Sequence, residues 1–352
     1  MQKYFFILFL LIAAPALAQP RGIPQQPMSL SYGKMLDWYS PTVGDSFRTY
    51  VFLPPGYDNS LASYPVLYLT DGDWLFTSAV SALGNLKQDY QVHEPIIVAI
   101  GYGDRENKRH RDLDPDQGGA AFLRALKKEV MPWVQEHFRV DQDQLLYGYS
   151  MGGKFATFAL FSEPTLFSSV MIGAPADGGT HMLPTARKYE PNLRTLRTKV
   201  FMGAGSYEHE TVDQIRRFRL WCAQHVPGAA ITTYTAPEMN HGAAISAVLQ
   251  EALRVNFAVL QKEIAVPPST LKRYTGVYVN RADSAMSSKV FLRDGHLYIS
   301  LHGYGDSYAL QLHATSPGTF FLKEYEQNSY TFFPAGLRIR LSNGNTLELN
   351  KR

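Results

Sequence analysis

Three observations predict an α/β fold followed by a small all-β part. From Phe47 to Leu260, short apolar runs alternate with longer stretches of helical period, the pattern of a mainly parallel sheet with helices on both faces. A serine framed by glycines, Gly148-Tyr149-Ser150-Met151-Gly152, falls between one such run and one such stretch. Beyond Ser269 the helical period stops, and apolar residues alternate with polar ones around two turn signals.

Taken in chain order, the first residues read as an address. Lys3 precedes an apolar run from Tyr4 to Ala14, and Ala16-Leu17-Ala18 follows as a small-residue cleavage pattern. The run is shorter than the roughly 20 residues a spanning helix needs. Residues 1–18 are therefore expected to be a signal peptide cut after Ala18, with an exported, periplasmic or secreted product. A Pro- and Gln-rich arm from Gln19 to Pro27 leads to strands expected near Met28–Tyr32 and Phe47–Leu53, and Pro54-Pro55-Gly56 forces a turn.

The expected core strands are Val66–Leu69, Ile96–Ile100, Leu145–Tyr147, Val170–Ile172, Val200–Met202 and Ile231–Tyr234, each bounded by a breaker. Phe122, Leu126, Val130 and Val134 recur every four residues and place one apolar stripe on a helix. Pro132 should kink that helix, because it lacks an amide donor and its ring meets the preceding turn. Ala243–Leu260 has the composition of a closing helix. Val266-Pro267-Pro268-Ser269 then reads as a short stiff linker.

The expected organisation is thus a catalytic domain over 19–263, a linker over 264–269 and a small antiparallel sheet or partly closed barrel over 270–352. Within the last part, Val290 and Leu292 lead through Asp294-Gly295 to Leu297, Ile299 and Leu301. Ile339 and Leu341 lead through Asn343-Gly344 to Leu347 and Leu349.

Composition narrows the function. Hydrophobic residues are 45% and charged residues 18% of the chain, enough for a core and contrary to disorder. The formal charge of +3, or +2 without Lys3, is too small to make nucleic acid or an acidic membrane the main partner. Cys222 is the only cysteine, so an intramolecular disulfide is impossible. No His, Cys and Asp grouping has metal-ligand spacing, and no phosphate loop or Gly-x-Gly-x-x-Gly opens a helix, so the sequence implies no metal, nucleotide or other cofactor.

A Gly-x-Ser-x-Gly string by itself is weak. Here it directly follows the run Leu145–Tyr147 and directly precedes a helical stretch, the setting of a nucleophile elbow. A serine on so sharp a turn has strained backbone angles, and flanking glycines let strand and helix approach. The hydroxyl is then presented at a helix N-terminus, whose amides favour developing negative charge.

Such a hydroxyl needs a base to take its proton, and histidine suits that work. His241, in Pro237-Glu238-Met239-Asn240-His241-Gly242, lies between the last core strand and the last helix. An acid should orient its imidazole, and the loop after Val200–Met202 offers Glu208 first, with Glu210 and Asp213 as alternatives. An oxyanion hole needs two donors: the Met151 amide, and an amide from Thr70-Asp71-Gly72-Asp73, of which that of Asp73 is favoured. The segment from Asp104 to Asp112 is rich in cations. Arg109, Arg111 and the Tyr149 ring are candidate substrate contacts, the plainer alternative for the arginines being a solvated loop.

These residues resemble an esterase branch of the α/β-hydrolases that includes esterase D, siderophore esterases, some feruloyl esterases and the mycolyltransferases. The likeness runs from about Ser29 to Leu260. It rests on Val66-Leu67-Tyr68-Leu69-Thr70-Asp71-Gly72, Arg111-Asp112-Leu113-Asp114-Pro115, Gly148 through Ala156, Glu163-Pro164-Thr165-Leu166-Phe167 and Asn240-His241-Gly242. It implies an α/β-hydrolase fold and a triad of Ser150, Glu208 and His241, with Gly205-Ser206-Tyr207-Glu208 as the acid loop. Ala174-Pro175-Ala176 departs from the branch, where many members have Ser-Pro-Ser and then an aromatic pair. Tyr274-Thr275-Gly276-Val277-Tyr278 and Ser316 through Phe321 resemble a small β-domain appended to exported hydrolases.

The expected function is hydrolysis of a small carboxylic ester through an acyl-enzyme, with a siderophore as the sharpest specific substrate. Rival expectations are an acyltransferase, a small-peptide serine peptidase and a catalytically silent ligand-binding protein. A fluorophosphonate probe separates the last from the others.

Overall fold

The structure, a computed structural model, describes residues 33–193, 196–226, 228–283, 286–300 and 308–352. The expected signal peptide, the strand expected at Met28–Tyr32 and Leu301 lie outside them. Eight strands make one sheet: β1 (Lys34–Ser40), β2 (Asp45–Phe52), β3 (Tyr64–Leu69), β4 (Ile96–Gly101), β5 (Val140–Tyr149), β6 (Ser169–Gly173), β7 (Lys199–Gly205) and β8 (Ala230–Ala236). Their order is β1-β2-β4-β3-β5-β6-β7-β8. β1 and β2 pair antiparallel, as do β2 and β4, and each remaining pairing is parallel.

Every residue of β4 and of β6 is buried. Since successive side chains point to opposite faces, the sheet must be covered on both. The cover comes from α1 (Gly72–Asp89), α2 (Gly119–Ala125), α3 (Met131–His137), α4 (Met151–Ser162), α5 (His209–His225) and α6 (Ala244–Phe257). At Pro132 the chain does not simply kink. A π turn, Leu126–Val130, joins α2 to α3, and the Met131 amide donates to the Leu126 carbonyl five residues back. The wider turn makes room where the proline ring and its missing donor would break an α-helical ladder.

The C-terminal part closes completely where sequence analysis expects a sheet or a partly closed barrel. Its strands are β9 (Gly276–Asn280), β10 (Ser287–Arg293), β11 (His296–Ser300), β12 (Ala309–Ser316), β13 (Thr319–Leu322), β14 (Tyr325–Phe333), β15 (Gly336–Arg340) and β16 (Thr346–Lys351). They form a closed antiparallel barrel, because β9 pairs with both β10 and β16. Asp294 and Gly295, both at positive φ, make the two-residue turn between Arg293 and His296. The second hairpin is looser. Its last pair is Arg340 with Thr346, so Leu341 falls in the loop, which Gly344 turns at φ 84°.

Two apolar cores result, one under the large sheet and one inside the barrel. They touch at a defined place. The Gln327 side-chain amide donates to the Lys87 carbonyl at the C-terminal end of α1, and the Gln261 amide donates to Glu326 at 3.0 Å. Residues 258–259 pair with 91–92 beside them. α1 starts at the edge where the parallel strands end and runs 18 residues, about 27 Å, to the opposite edge. The barrel therefore docks at the edge away from the C-terminal ends of the strands.

Candidate active site

Ser150 stands between β5 and α4 with φ 59° and ψ −115°, a conformation that costs an L-residue of order 1–3 kcal/mol. Backbone bonds on both sides hold it there: its amide donates to Gly173 at 2.9 Å, and its carbonyl accepts from Ala176 at 2.9 Å and from Lys154 at 3.0 Å. The glycines act through space. A Cβ on Gly148 would run into the Gly152 carbonyl, and one on Gly152 into the Thr70 hydroxyl. That second approach sets the starts of α1 and α4 side by side. The Asp73 and Met151 amides stand in the first turns of these helices, where no carbonyl a turn earlier within the helix is available to accept them.

The acid and histidine loops are zipped together. Ser206 donates its amide to Ala236 and Tyr207 donates to Met239, while the Glu238 amide reaches the Ser206 hydroxyl at 2.8 Å. The result is a 2.7 Å contact between His241 Nδ1 and Glu208 Oε1. The other carboxylate oxygen of Glu208 accepts the Gly205 amide at 2.9 Å. Burial works to raise the Glu208 carboxyl, but the bonds from His241 and Gly205 outweigh it and hold the group below its ordinary value. With Nδ1 committed to the carboxylate, Nε2 is the nitrogen left to take a proton. Asp213 instead pairs with Arg216 and Arg217 at 2.6 Å each, and Glu210 lies against Gly178.

The three expected substrate contacts are each engaged by other groups of the protein. Tyr149 is fully buried and donates from its hydroxyl to the His241 carbonyl at 2.6 Å, so it supports the histidine loop from beneath. Its phenol is pushed up by burial first and by the Glu208 charge second. Arg109 grips Asp71, whose carboxylate is 1% exposed, through Nε at 2.6 Å and Nη2 at 3.0 Å. Arg111 is spent on Asp112 and Asp45. Buried aspartates capture the guanidinium groups because an unpaired charge there would be far more costly than the pairing.

Other side chains at this edge escaped sequence reasoning. Asp73 accepts the amides of Tyr102 and Gly103 at 2.8 Å each and the Tyr50 hydroxyl at 2.7 Å, tying the start of α1 to the end of β4. The Lys154 ammonium bridges Asp114 at 3.1 Å and Asp177 at 3.0 Å across two loops beside Ser150. A lysine within the apolar run Gly152–Phe161 was the signal for it. Trp74 and Tyr207 remain exposed, each next in sequence to a candidate site residue. Among the described residues no group of three His, Cys, Asp or Glu side chains could hold a metal ion, and no helix is long and apolar enough to cross a membrane.

The parallel sheet, its crossover helices and the strained strand-to-helix serine make this an α/β-hydrolase fold. A family model described as "Putative esterase" matches residues 40–223, just over half of the chain, and the chain belongs to that family. It is 30% identical over 140 residues to the ferri-bacillibactin esterase BesA of Bacillus subtilis, covering 33% of this chain and 48% of the relative. It is 34% identical over 128 residues to a siderophore triacetylfusarinine C esterase of Aspergillus fumigatus, covering 32% and 44%. The chain thus spans about half the length of these curated relatives. Among solved structures, the BES protein of Bacillus cereus superposes with a TM-score of 0.59 at 24% identity over 67% of this chain and 98% of that one. The siderophore hydrolase EstB of Aspergillus nidulans does so with 0.56 at 22% over 66% and 97%. Both likenesses concern the fold.

Proposed function

We propose that the protein is an exported serine hydrolase of carboxylic esters that works through an acyl-enzyme on Ser150. The observation that carries this reading is the 2.7 Å contact of His241 Nδ1 with Glu208, in a histidine loop tied by its His241 carbonyl to the hydroxyl of Tyr149, the residue before the strained serine. His241 Nε2 takes the Ser150 proton as the hydroxyl attacks the ester carbonyl, and the Met151 and Asp73 amides hold the oxyanion. The imidazolium, stabilised by Glu208, then protonates the departing alkoxide. Water repeats the sequence on the acyl-enzyme and regenerates the free serine. The His241 side chain is 47% exposed, which gives water access to the base for the second half of the reaction.

The names of the relatives support a siderophore or another small ester as substrate. Residues 1–18 would direct the chain out of the cytoplasm, and a secreted or periplasmic form beginning at Gln19 is the matching mass. A fluorophosphonate probe followed by peptide mass spectrometry tests the chemistry. Labelling on Ser150, lost in Ser150→Ala, is expected; a folded protein that takes up no label is a binding protein with a hydrolase shell. Added acceptor alcohol that diverts product from acid to ester would instead identify an acyltransferase.

A further inference from the structure

Among the described residues, the Lys and Arg side chains of the loops at the catalytic edge are already ion-paired. The loops over residues 70–74, 102–118, 174–181, 206–210 and 237–243 carry four Lys or Arg against eleven Asp or Glu. All four cations, Arg105, Lys108, Arg109 and Arg111, are ion-paired within the protein. The two neighbouring cations are engaged as well, Arg48 by Asp37 and Asp104, and Lys154 by Asp114 and Asp177. The excess carboxylates leave a negative field over the entrance to Ser150, which repels anions approaching it. What the same loops do expose is aromatic: Tyr207 is 60% exposed beside Glu208, and Trp74 is 36% exposed beside Asp73.

We propose that the site selects esters without net negative charge, and recognises them by aromatic and backbone contacts instead of by guanidinium or ammonium groups. The proposal rests on the esterase reading above and narrows its substrate class. Among metal chelates it favours an iron(III) complex of three hydroxamates, in which ligand and metal charges cancel. It disfavours one of three catecholates, which retains three negative charges. Opening the Arg109 or Arg111 pairs to bind such an anion would strip the partner from Asp71 or Asp112, both buried.

The test compares p-nitrophenyl hexanoate with the mono-p-nitrophenyl ester of adipate, whose carboxylate is too distant to expel p-nitrophenolate through a small cyclic anhydride, each kcat/KM being divided by the ester's own rate with hydroxide. At about 10 mM salt the anionic ester should be at least about tenfold poorer, and the gap should narrow toward 1 M salt, where the Debye length is about 3 Å. Glu106→Lys with Asp116→Lys, outside the proposed machinery, should raise turnover of the anionic ester at low salt and leave the neutral one unchanged. An iron(III) trishydroxamate ester should be cleaved faster than an iron(III) triscatecholate ester. Equal turnover of the matched esters, or a gap that salt does not change, would overturn the selectivity alone. Absence of turnover on every ester would overturn the esterase reading, and this inference with it.

Discussion

At the scale of single residues, the site depends on one hydroxyl and on the charge behind one imidazole. Ser150→Ala should abolish ester hydrolysis with the melting curve unchanged, because little buried volume is lost. Glu208→Gln should lower kcat by roughly 10² to 10⁴, since the amide cannot stabilise the imidazolium. Glu210→Gln and Asp213→Asn, whose carboxylates are turned elsewhere, should stay within about twofold; steady-state rates on one p-nitrophenyl ester compare all three. His181 makes a different kind of prediction. Both its ring nitrogens are buried without a hydrogen-bond partner among the described residues, and burial, followed by the Lys154 charge, lowers it from 6.5 to about 4. Between those values the unfolded chain binds more protons than the folded one, so stability falls as pH drops through that window. His181→Phe should flatten this part of the curve, read as urea midpoints between pH 4 and pH 7. An unchanged slope would mean that His181 does not titrate as its surroundings require.

Elements set the geometry that those residues use. The elbow works only if α4 starts hard against β3 and β5, which is a steric demand on Gly148 and Gly152. Gly148→Ala should cost about 1–3 kcal/mol through overpacking and shift Ser150 as well, so thermal midpoint and kcat should fall together. Tyr149→Phe separates support from chemistry. It removes the bond to the His241 carbonyl and leaves the ring in place. The expected loss of stability is about 0.5–1.5 kcal/mol, with kcat reduced and KM little altered. A raised KM with unchanged kcat would return Tyr149 to the role of a substrate contact.

For the whole molecule, the question is what the barrel contributes. It has its own core and meets the hydrolase part near Lys87, about the length of α1 away from the loops that carry Ser150 and His241. A chain ending at Lys262 should therefore fold and keep kcat/KM within about threefold, on small and bulky esters alike. Val266 packs against the barrel core, which is why the cut belongs before it. An insoluble product, or activity lost on bulky esters only, would show that the barrel supports the core or reaches the entrance.

The linear chain determined much of this protein by itself. Apolar runs bounded by breakers located seven of the eight strands of the large sheet within a few residues, since burial leaves few other residue types there, whereas the mostly exposed β1, Lys34–Ser40, carries no such run and was not expected. Asp294-Gly295 located a hairpin because its turn needs two positive φ angles in succession. Ser150 and His241 were legible as candidates because an elbow and a late histidine loop have local signatures. The tertiary structure decided the rest. Which acid reaches His241 depends on two loops, 33 residues apart, hydrogen-bonding to each other. Whether the arginines meet a substrate depends on aspartates up to 66 residues away. Composition displays a cation, but only the packed fold shows that its charge is already satisfied, because desolvation makes a buried carboxylate seek a partner wherever the chain can bring one.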